Sequence, residues 1–190
     1  MTIANPAPLL DLTSTAVRAL MLYSLLEFQS GHATTIRVTA EGNAFSIADN
    51  GRGHPLDKTV DGTSYLKFIY THFDYPFDSD RGAEIQLQGI GIFLVNAMCS
   101  ALTLTVKKRD ATLQMQFRDG QLCESNRAAV VSEETGITIS AQINPQLQGG
   151  GTATEPLEAW LLGVLAVSPS LKLYFNGRQL HAPATLRGHT

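Results

Sequence analysis

Apolar residues near the start of the chain recur at helical spacing. From residue 13 to residue 30 they fall every three or four positions, the period that places side chains on one face of an α-helix. The stripe consists of Val17, Leu20, Met21, Leu25 and Phe28, and the polar Ser24 lies on it as well. We expect Thr13 or Ser14 to cap this helix and Gly31 to end it.

A period of two replaces the helical period after Gly31. Residues 34–40 and 44–48 alternate apolar and polar side chains, which predicts two strands, and Glu41-Gly42-Asn43 between them is typical of a hairpin turn. The segment Asp49-Asn-Gly-Arg-Gly-His-Pro55 follows the second strand. Its two glycines and its proline indicate a loop with an unusual backbone path.

The rest of the chain predicts further helices and strands without an internal repeat. Helices are expected at about 62–72, from the glycine pair Gly89 and Gly91 through Leu102, and from Glu155 to Val167; strands are expected at about 102–108, 111–118, 121–124, 135–143 and 171–175. Residues 73–86 predict a long loop, 149–151 a flexible connector and Asn176-Gly177 a turn. This pattern favours an α/β fold, a two-layer α+β sandwich with helices on one face of a mixed sheet. We expect an N-terminal arm at 1–12 and a single domain at 13–190.

Composition narrows the possible functions. Apolar residues make up 44% of the 190 residues and charged residues 16%, which suits a globular core. The net charge of -3 argues against direct DNA binding, which normally needs a basic face. The N-terminus lacks the features of a secretory signal, and the longest apolar stretch, 159–167, is too short to span a membrane. The sequence therefore predicts a cytoplasmic protein without membrane contact.

Two glycine motifs are candidates for chemistry. Asp49-Asn-Gly-Arg-Gly53 follows an apolar strand, and Gly89-Ile90-Gly91 opens an apolar helix. A carboxylate at the end of a strand can accept a hydrogen bond from a ligand amino group, and glycines at a helix start let backbone N–H groups approach a phosphate. Each motif alone is more often a plain turn or a close packing contact.

Taken together, the motifs resemble those of the GHKL ATPases, in particular the ATP-binding domain of the gyrase B branch. The order and spacing of the two motifs match, residues 30–40 resemble the segment that leads into the first strand, and Glu134-Thr-Gly-Ile-Thr138 is similar to the strand that carries the adenine-pocket motif. The resemblance covers about residues 13–180. It implies a GHKL (Bergerat-type) fold and ATP or ADP as the ligand.

The resemblance also implies roles for single residues. Asp49 would accept the adenine amino group, and Glu27 would pair with the loop arginine, Arg52. The remaining positions implied to contact or shape the nucleotide site are Ile47, Gly51, Gly53, Pro55, Gly89, Ile90, Gly91, Thr135 and Ile139.

The chain departs from the family where hydrolysis takes place. The general-base position of the first helix falls on Ala19 and the magnesium-binding position on Tyr23. An alanine cannot activate water, and a phenol is a poor magnesium ligand. Ile137 replaces a threonine that helps to hold adenine. We therefore expect no catalytic residue and no metal ligand in this chain.

Three functions remain open on the sequence alone. The first is a degenerate gyrase B-like domain that binds adenine nucleotide without hydrolysing it and acts through a protein partner or by regulation. The second is a working ATPase of the type II topoisomerase kind whose base is supplied elsewhere, for instance by Asp11. The third is a nucleotide-free scaffold whose pocket is filled by its own side chains, such as Tyr23 or His54. A homodimer is compatible with each of them.

Overall fold

A computed structural model describes residues 11–72, 91–148 and 154–182. Within these ranges the helices are α1 (Leu12–Gln29), α2 (Tyr65–Thr71), α3 (Ile92–Met98) and α4 (Thr154–Val167). The strands are β1 (Thr35–Glu41), β2 (Ala44–Asp49), β3 (Thr59–Val60), β4 (Thr63–Ser64), β5 (Cys99–Lys107), β6 (Ala111–Arg118), β7 (Gln121–Ala129), β8 (Gly136–Ile143), β9 (Lys172–Phe175) and β10 (Arg178–Gln179).

Eight of these strands form one mixed sheet. Their order is β10-β9-β1-β2-β8-β5-β6-β7, and β3 with β4 forms a separate hairpin. The pair β1 and β9 is parallel, whereas the other described pairs are antiparallel. The chain thus returns late in its course to place β9 beside β1, and β2 with β8 lies near the middle of the sheet.

Helices cover one face of the sheet, as predicted. Every second side chain of β1 and β6 is buried, which is the pattern of a sheet with one covered face. The buried side chains of α1 and α4 belong to the same core as those of the central strands. The opposite face carries small polar side chains, including Ser46 and Ser140, whose hydroxyl oxygens lie 3.0 Å apart. The predicted two-layer α/β fold is confirmed.

Helix α1 begins earlier than either cap that the sequence suggested. Asp11 is the N-cap: its Oδ1 accepts the backbone N–H of Ser14 at 2.9 Å, and its Oδ2 accepts the Ser14 hydroxyl at 2.7 Å. Thr13 and Ser14 are therefore buried residues of the first turn. A carboxylate is a strong acceptor for the unpaired N–H groups of a first turn, which is why Asp11 takes the position. Gly31 follows the helix with φ of 75°.

The third helix is shorter than predicted. It ends at Met98 instead of Leu102, and β5 begins at Cys99. An apolar run has no period that marks this boundary, and pairing with β8 decides it. The register of that pair shifts between Cys99 and Ala101, where the chain enters the sheet. Cys99 is buried as a small apolar residue would be.

The other predicted elements differ mainly at their ends. Helix α2 begins at Tyr65 because the preceding residues form the β3–β4 hairpin, whose turn contains Asp61 and Gly62 at φ of 49° and 76°. Strand β7 extends to Ala129, beyond the predicted end at 124. The turn at Asn176 and Gly177 is present and leads into β10.

Some sequence predictions fall outside the described residues. These are residues 1–10 of the predicted N-terminal arm, the loop at 73–86, the positions Gly89 and Ile90, and the connector at 149–151. Among the residues that are described, no helix is long and apolar enough to cross a membrane.

Candidate functional site

The site is built around Asp49, the last residue of β2. Strand alternation puts its side chain on the same face as Phe45 and Ile47, which is the face that α1 covers. Ser24 and Gly51 both donate to its carboxylate. The Ser24 hydroxyl lies 2.6 Å from Oδ2, and the backbone N–H of Gly51 lies 2.9 Å from Oδ1. Each oxygen of an ionised carboxylate has two lone pairs, so further accepting capacity remains.

Burial is the largest influence on the protonation of Asp49. It raises the pKa of this carboxyl above its ordinary value, and the neighbouring Glu27 charge raises it further. The hydroxyl of Ser24 and the backbone N–H groups of Gly51 and Ile137 oppose that rise by stabilising the ionised form. A carboxylate in such surroundings attracts a ligand N–H strongly, because little water competes for it.

Glycines are needed where the loop turns against the sheet. A Cβ at Gly51 would lie 3.0 Å from Glu27 Oε2 and 3.1 Å from Asp49 Oδ1. Gly53 has φ of 68°, and a Cβ there would press on Val106 and on the carbonyl of Gly136. Gly136 leaves the least room, since a Cβ at this position would lie 2.0 Å from the backbone oxygen of Asp49. This glycine, at the start of β8, was not among the predicted site residues.

An ion pair joins the loop to α1. Arg52 Nη2 lies 2.8 Å from Glu27 Oε1, and Arg52 Nε lies 3.2 Å from Glu27 Oε2. The backbone N–H of Arg52 also donates to Glu27 Oε2 at 3.1 Å. The side-chain hydrogen bond from Arg52 lowers the pKa of Glu27. The two residues paired by the resemblance are thus in contact, with the guanidinium mostly exposed and the carboxylate less so.

Lys108, which the sequence analysis did not identify, binds the other side of the loop. Lys108 Nζ donates to the carbonyl oxygens of Arg52 at 2.7 Å and of Gly53 at 3.1 Å. Burial and the nearby Arg52 charge lower the pKa of Lys108. In the sequence Lys108 is one of three consecutive basic residues at a strand end, a pattern that is typical of a solvated turn.

The predicted apolar walls lie in the sheet beneath Asp49. Ile47 and Ile139 are cross-strand partners on β2 and β8, and Ile137 is the partner of Asp49 itself. Ile47 is 1% exposed and Ile139 2% exposed, so other protein atoms cover both. Thr135, which immediately precedes β8, is half-buried.

Pro55 is an exposed residue of the loop. It lines an open groove of about 270 Å³ together with Leu56, Lys58, Lys108 and Arg127. Neither Asp49 nor a residue of α1 lines this groove.

The two positions implied in hydrolysis carry side chains of the wrong chemistry. Ala19 is buried in the core of the domain. Burial raises the pKa of Tyr23, and the backbone N–H of Ile92, at the start of α3, lowers it in smaller measure. The Tyr23 phenol therefore lies against the N-terminus of α3, next to its N-cap residue Gly91. No group of three or more His, Cys, Asp or Glu suited to a metal occurs among the described residues.

His54 points its ring into the protein from the same loop. Its Nε2 is enclosed and has no hydrogen-bond partner among the described residues. Burial lowers the pKa of His54 to about 4, and the Lys108 charge contributes to this. The imidazole is therefore neutral at physiological pH.

The carboxylate of Asp11 lies at the other end of α1 from the site. It is eight positions from Ala19 along the helix, which corresponds to roughly 12 Å at 1.5 Å per residue, and thirteen positions from Ser24, roughly 20 Å. As the N-cap, its two oxygens are already engaged with Ser14.

Comparison with known proteins gives a consistent set of relatives. The chain is 31% identical to the DNA gyrase B protein of Campylobacter jejuni over 122 residues, which are 61% of this chain and 16% of that protein. It is 29% identical to the corresponding B polypeptide of DNA topoisomerase 4 from Borreliella burgdorferi over 126 residues, which are 66% of this chain and 20% of that protein. The chain thus matches a fifth or less of the length of these relatives. No protein-family profile matches it.

Solved structures agree with the sequence matches. The ATP-binding domain of Francisella tularensis topoisomerase IV, in complex with a small-molecule inhibitor, superposes with a TM-score of 0.73 at 21% identity and covers 86% of this chain and 83% of that one. The 43K ATPase domain of Thermus thermophilus gyrase B, bound to an aminocoumarin, gives a TM-score of 0.71 at 22% identity. The match covers 87% of this chain and 44% of that one. The chain therefore has the GHKL fold of these ATP-binding domains and is similar to them in sequence.

Proposed function

We propose that this chain is a gyrase B-like nucleotide-binding domain that binds ATP or ADP without hydrolysing it and acts through contact with another protein. The observation that supports this most strongly is the contrast between two ends of one site. The Asp49 carboxylate accepts hydrogen bonds from Ser24 and from the backbone of Gly51, whereas Ala19 and Tyr23 stand at the positions implied for water activation and metal binding.

The adenine end of the site supports nucleotide binding. Ser24 and Gly51 each occupy one lone pair of Asp49, which leaves accepting capacity for an exocyclic amino group. A hydrogen bond to a charged acceptor contributes about 1.5–3 kcal/mol. Glu27, Arg52 and Lys108 hold the loop that follows Asp49, so a ligand meets an organised backbone.

The absence of a base at position 19 argues against turnover. Water attacks a phosphoryl group efficiently only when a side chain within hydrogen-bond reach orients it and takes its proton. A methyl group does neither. A working ATPase that borrows Asp11 is disfavoured because this carboxylate caps α1, roughly 12 Å along the helix from Ala19, the position implied for the base, and its oxygens already accept hydrogen bonds from Ser14.

The side chain of Tyr23 argues against magnesium binding at this position. The raised pKa keeps the phenol protonated and neutral, whereas Mg²⁺ prefers carboxylate, phosphate and water oxygens in octahedral geometry. Adenine nucleotide should then bind equally well with and without the ion.

Action through another protein is proposed from the setting of the matched region in the relatives. In those relatives the matched region is one part of a far longer polypeptide, so a domain of this kind works next to further protein surface. The net charge of -3 gives no reason to expect DNA as the partner. A second copy of this chain is the simplest alternative partner.

Calorimetric titration with a non-hydrolysable ATP analogue tests the proposal. We expect binding with the same affinity in magnesium and in EDTA, and loss of binding in Asp49→Asn. Asp119→Asn is a matched control, because Asp119 is an exposed carboxylate in the β6–β7 turn at the opposite end of the sheet. Steady phosphate release from ATP that disappears in Asp49→Asn would contradict the proposal.

A nucleotide-free scaffold is the second candidate, and the burial of the pocket walls favours it. Ile47 and Ile139 are covered, the Tyr23 phenol lies against the start of α3, and His54 turns Nε2 inward. If these side chains fill the space of the ligand, the analogue gives no heat at any concentration reached. The partner should then be sought by protein interaction alone.

A further inference from the structure

Ser24 is a polar residue inside the core that faces the site. It is fully buried, with 0% exposure, and it lies on the otherwise apolar stripe of α1. The other buried polar residues in the described part of the chain have structural partners: Thr13 and Ser14 lie in the first turn of α1, and Asn96 donates to two backbone carbonyls. Ser24 alone among these four contacts the carboxylate of Asp49.

The contact is short and directional. The distance of 2.6 Å between Ser24 Oγ and Asp49 Oδ2 is typical of a hydroxyl that donates to a charged acceptor. Gly51 donates to the other oxygen at 2.9 Å. With one donor on each oxygen, the carboxylate is fixed in rotation, and both donors stabilise its ionised form.

Nothing on the neighbouring strand supplies an equivalent hydroxyl. Ile137 is the cross-strand partner of Asp49, so its side chain points to the same face within a few ångströms of the carboxylate. The Ile137 side chain is a hydrocarbon and cannot donate a hydrogen bond. The hydroxyl that donates to Asp49 therefore belongs to Ser24 of α1.

We infer that Ser24 is the positioning residue that makes the pocket specific for a ligand with an exocyclic amino group. Asp49 held as a carboxylate only accepts hydrogen bonds, so it binds an adenine-type amino group and rejects a ring carbonyl, as in hypoxanthine. Without Ser24 the carboxyl is more readily protonated and can donate to that carbonyl. The inference rests on the proposed function and adds the determinant of its base specificity.

The groups around Asp49 make the pH dependence predictable. Burial and, in smaller measure, the Glu27 charge on α1 favour the protonated form, and Ser24, the Gly51 N–H and the Ile137 N–H favour the ionised form. Removing Ser24 raises the pKa of Asp49 further. Binding of an amino group requires the carboxylate, so affinity is lost as pH falls through this pKa. The midpoint of that loss should lie at higher pH in Ser24→Ala.

The test combines nuclear magnetic resonance with ligand titration. Carbon-13 titration of the Asp49 carboxyl in the protein without ligand should show a higher midpoint in Ser24→Ala than in the original chain. At pH values between the two titration midpoints, affinity for the non-hydrolysable ATP analogue should fall in Ser24→Ala by about tenfold, and its preference over the matching inosine analogue should shrink by a similar factor. Ser24→Thr, which keeps the hydroxyl, should retain both the affinity and the preference for the ATP analogue.

A double variant sharpens the test. Ile137→Thr places a hydroxyl opposite Asp49 on β8, so Ser24→Ala with Ile137→Thr should recover part of the lost affinity and move the titration midpoint back. Ser24→Cys, which has a similar shape and a weak donor, serves if the alanine variant does not fold.

Failure of the two proposals is distinguishable. If the original chain binds no nucleotide, the proposed function fails, and the carboxyl titration still decides the contribution of Ser24 to the state of Asp49. An unchanged Asp49 midpoint in Ser24→Ala, or unchanged affinity and base preference in a chain that binds, would overturn the inference.

Discussion

At the scale of single residues, recognition and stability oppose each other at Asp49. The charge that would attract a ligand amino group is partly buried beside the Glu27 carboxylate, and this raises the pKa of Asp49. The hydrogen bonds from Ser24 and from the backbone N–H groups only partly offset the free-energy cost of burying the ionised carboxylate. Such a conflict is common where a protein keeps a binding group that folding alone would not favour.

The first prediction follows from the sign of this shift. A raised pKa means that the folded chain binds the proton more tightly than the unfolded chain. The contribution of Asp49 to stability is therefore present below its unfolded pKa and is lost as pH rises through the folded value. Asp49→Asn should raise the melting temperature at neutral pH while it abolishes nucleotide binding. Thermal unfolding at several pH values measures this, and a lower melting temperature at pH 7 would contradict it.

A second residue-scale prediction concerns the approach of two backbones. Gly136→Ala should destabilise the domain by about 3 kcal/mol or more, because its Cβ would lie 2.0 Å from the Asp49 carbonyl oxygen at φ of 135°. Gly163→Ala is the control, since this exposed glycine of α4 has open space around it and should gain about 0.5–1 kcal/mol. Equal stability of the two variants in denaturant titration would show that the close approach is not required.

At the scale of elements, the loop from Asp49 to Pro55 is held from both sides. Glu27 of α1 accepts hydrogen bonds from the side chain and the backbone of Arg52, and Lys108, which directly follows β5, donates to two loop carbonyls. The helix and the strand are parts of one core. The shape of the loop is therefore set by elements that are themselves rigid.

The third prediction tests whether the hydrogen bonds from Lys108 hold the loop in place. Lys108→Met should weaken binding of the ATP analogue several-fold and speed hydrogen exchange at Gly53 and His54, because two loop carbonyls lose their donor. Global stability should change by less than about 1 kcal/mol. Lys107→Met is the matched control: Lys107 pairs with the exposed Glu134, and such surface pairs contribute about 0–1 kcal/mol. Identical exchange in the two variants would contradict a special function of Lys108.

Elements with a strong period were predictable from the sequence, and their junctions were not. The stripe on α1 and the alternation in β1, β2 and β6 correspond to buried faces, so local pattern was enough. The boundary at Met98 and Cys99 lies inside one apolar run, where pairing with a distant strand decides the structure. The same limit applies to Lys108 and Gly136, whose contacts with the loop come from residues far away in sequence.

At the scale of the whole molecule, the sheet brings the parts of the site together. Strand β2 carries Asp49, β8 lies on one side of it, and α1 covers it with Ser24 and Glu27. The chain has the GHKL fold, and Ala19 and Tyr23 occupy the positions where the resemblance implies groups that act on phosphate. A fold of this kind can retain a pocket without the reaction, since the core that supports the pocket does not depend on the catalytic side chains.

The central claim is that nucleotide binds through Asp49 and leaves unchanged. A single-turnover measurement with the chain in excess over γ-labelled ATP tests it directly, because bound ATP and released phosphate are read from the same sample. The account predicts that the bound fraction of ATP rises with protein concentration, with or without magnesium, and that Asp49→Asn abolishes this binding. The original chain should release no more phosphate than that variant does. Phosphate release that depends on Asp49, or no bound ATP at any concentration, would contradict it.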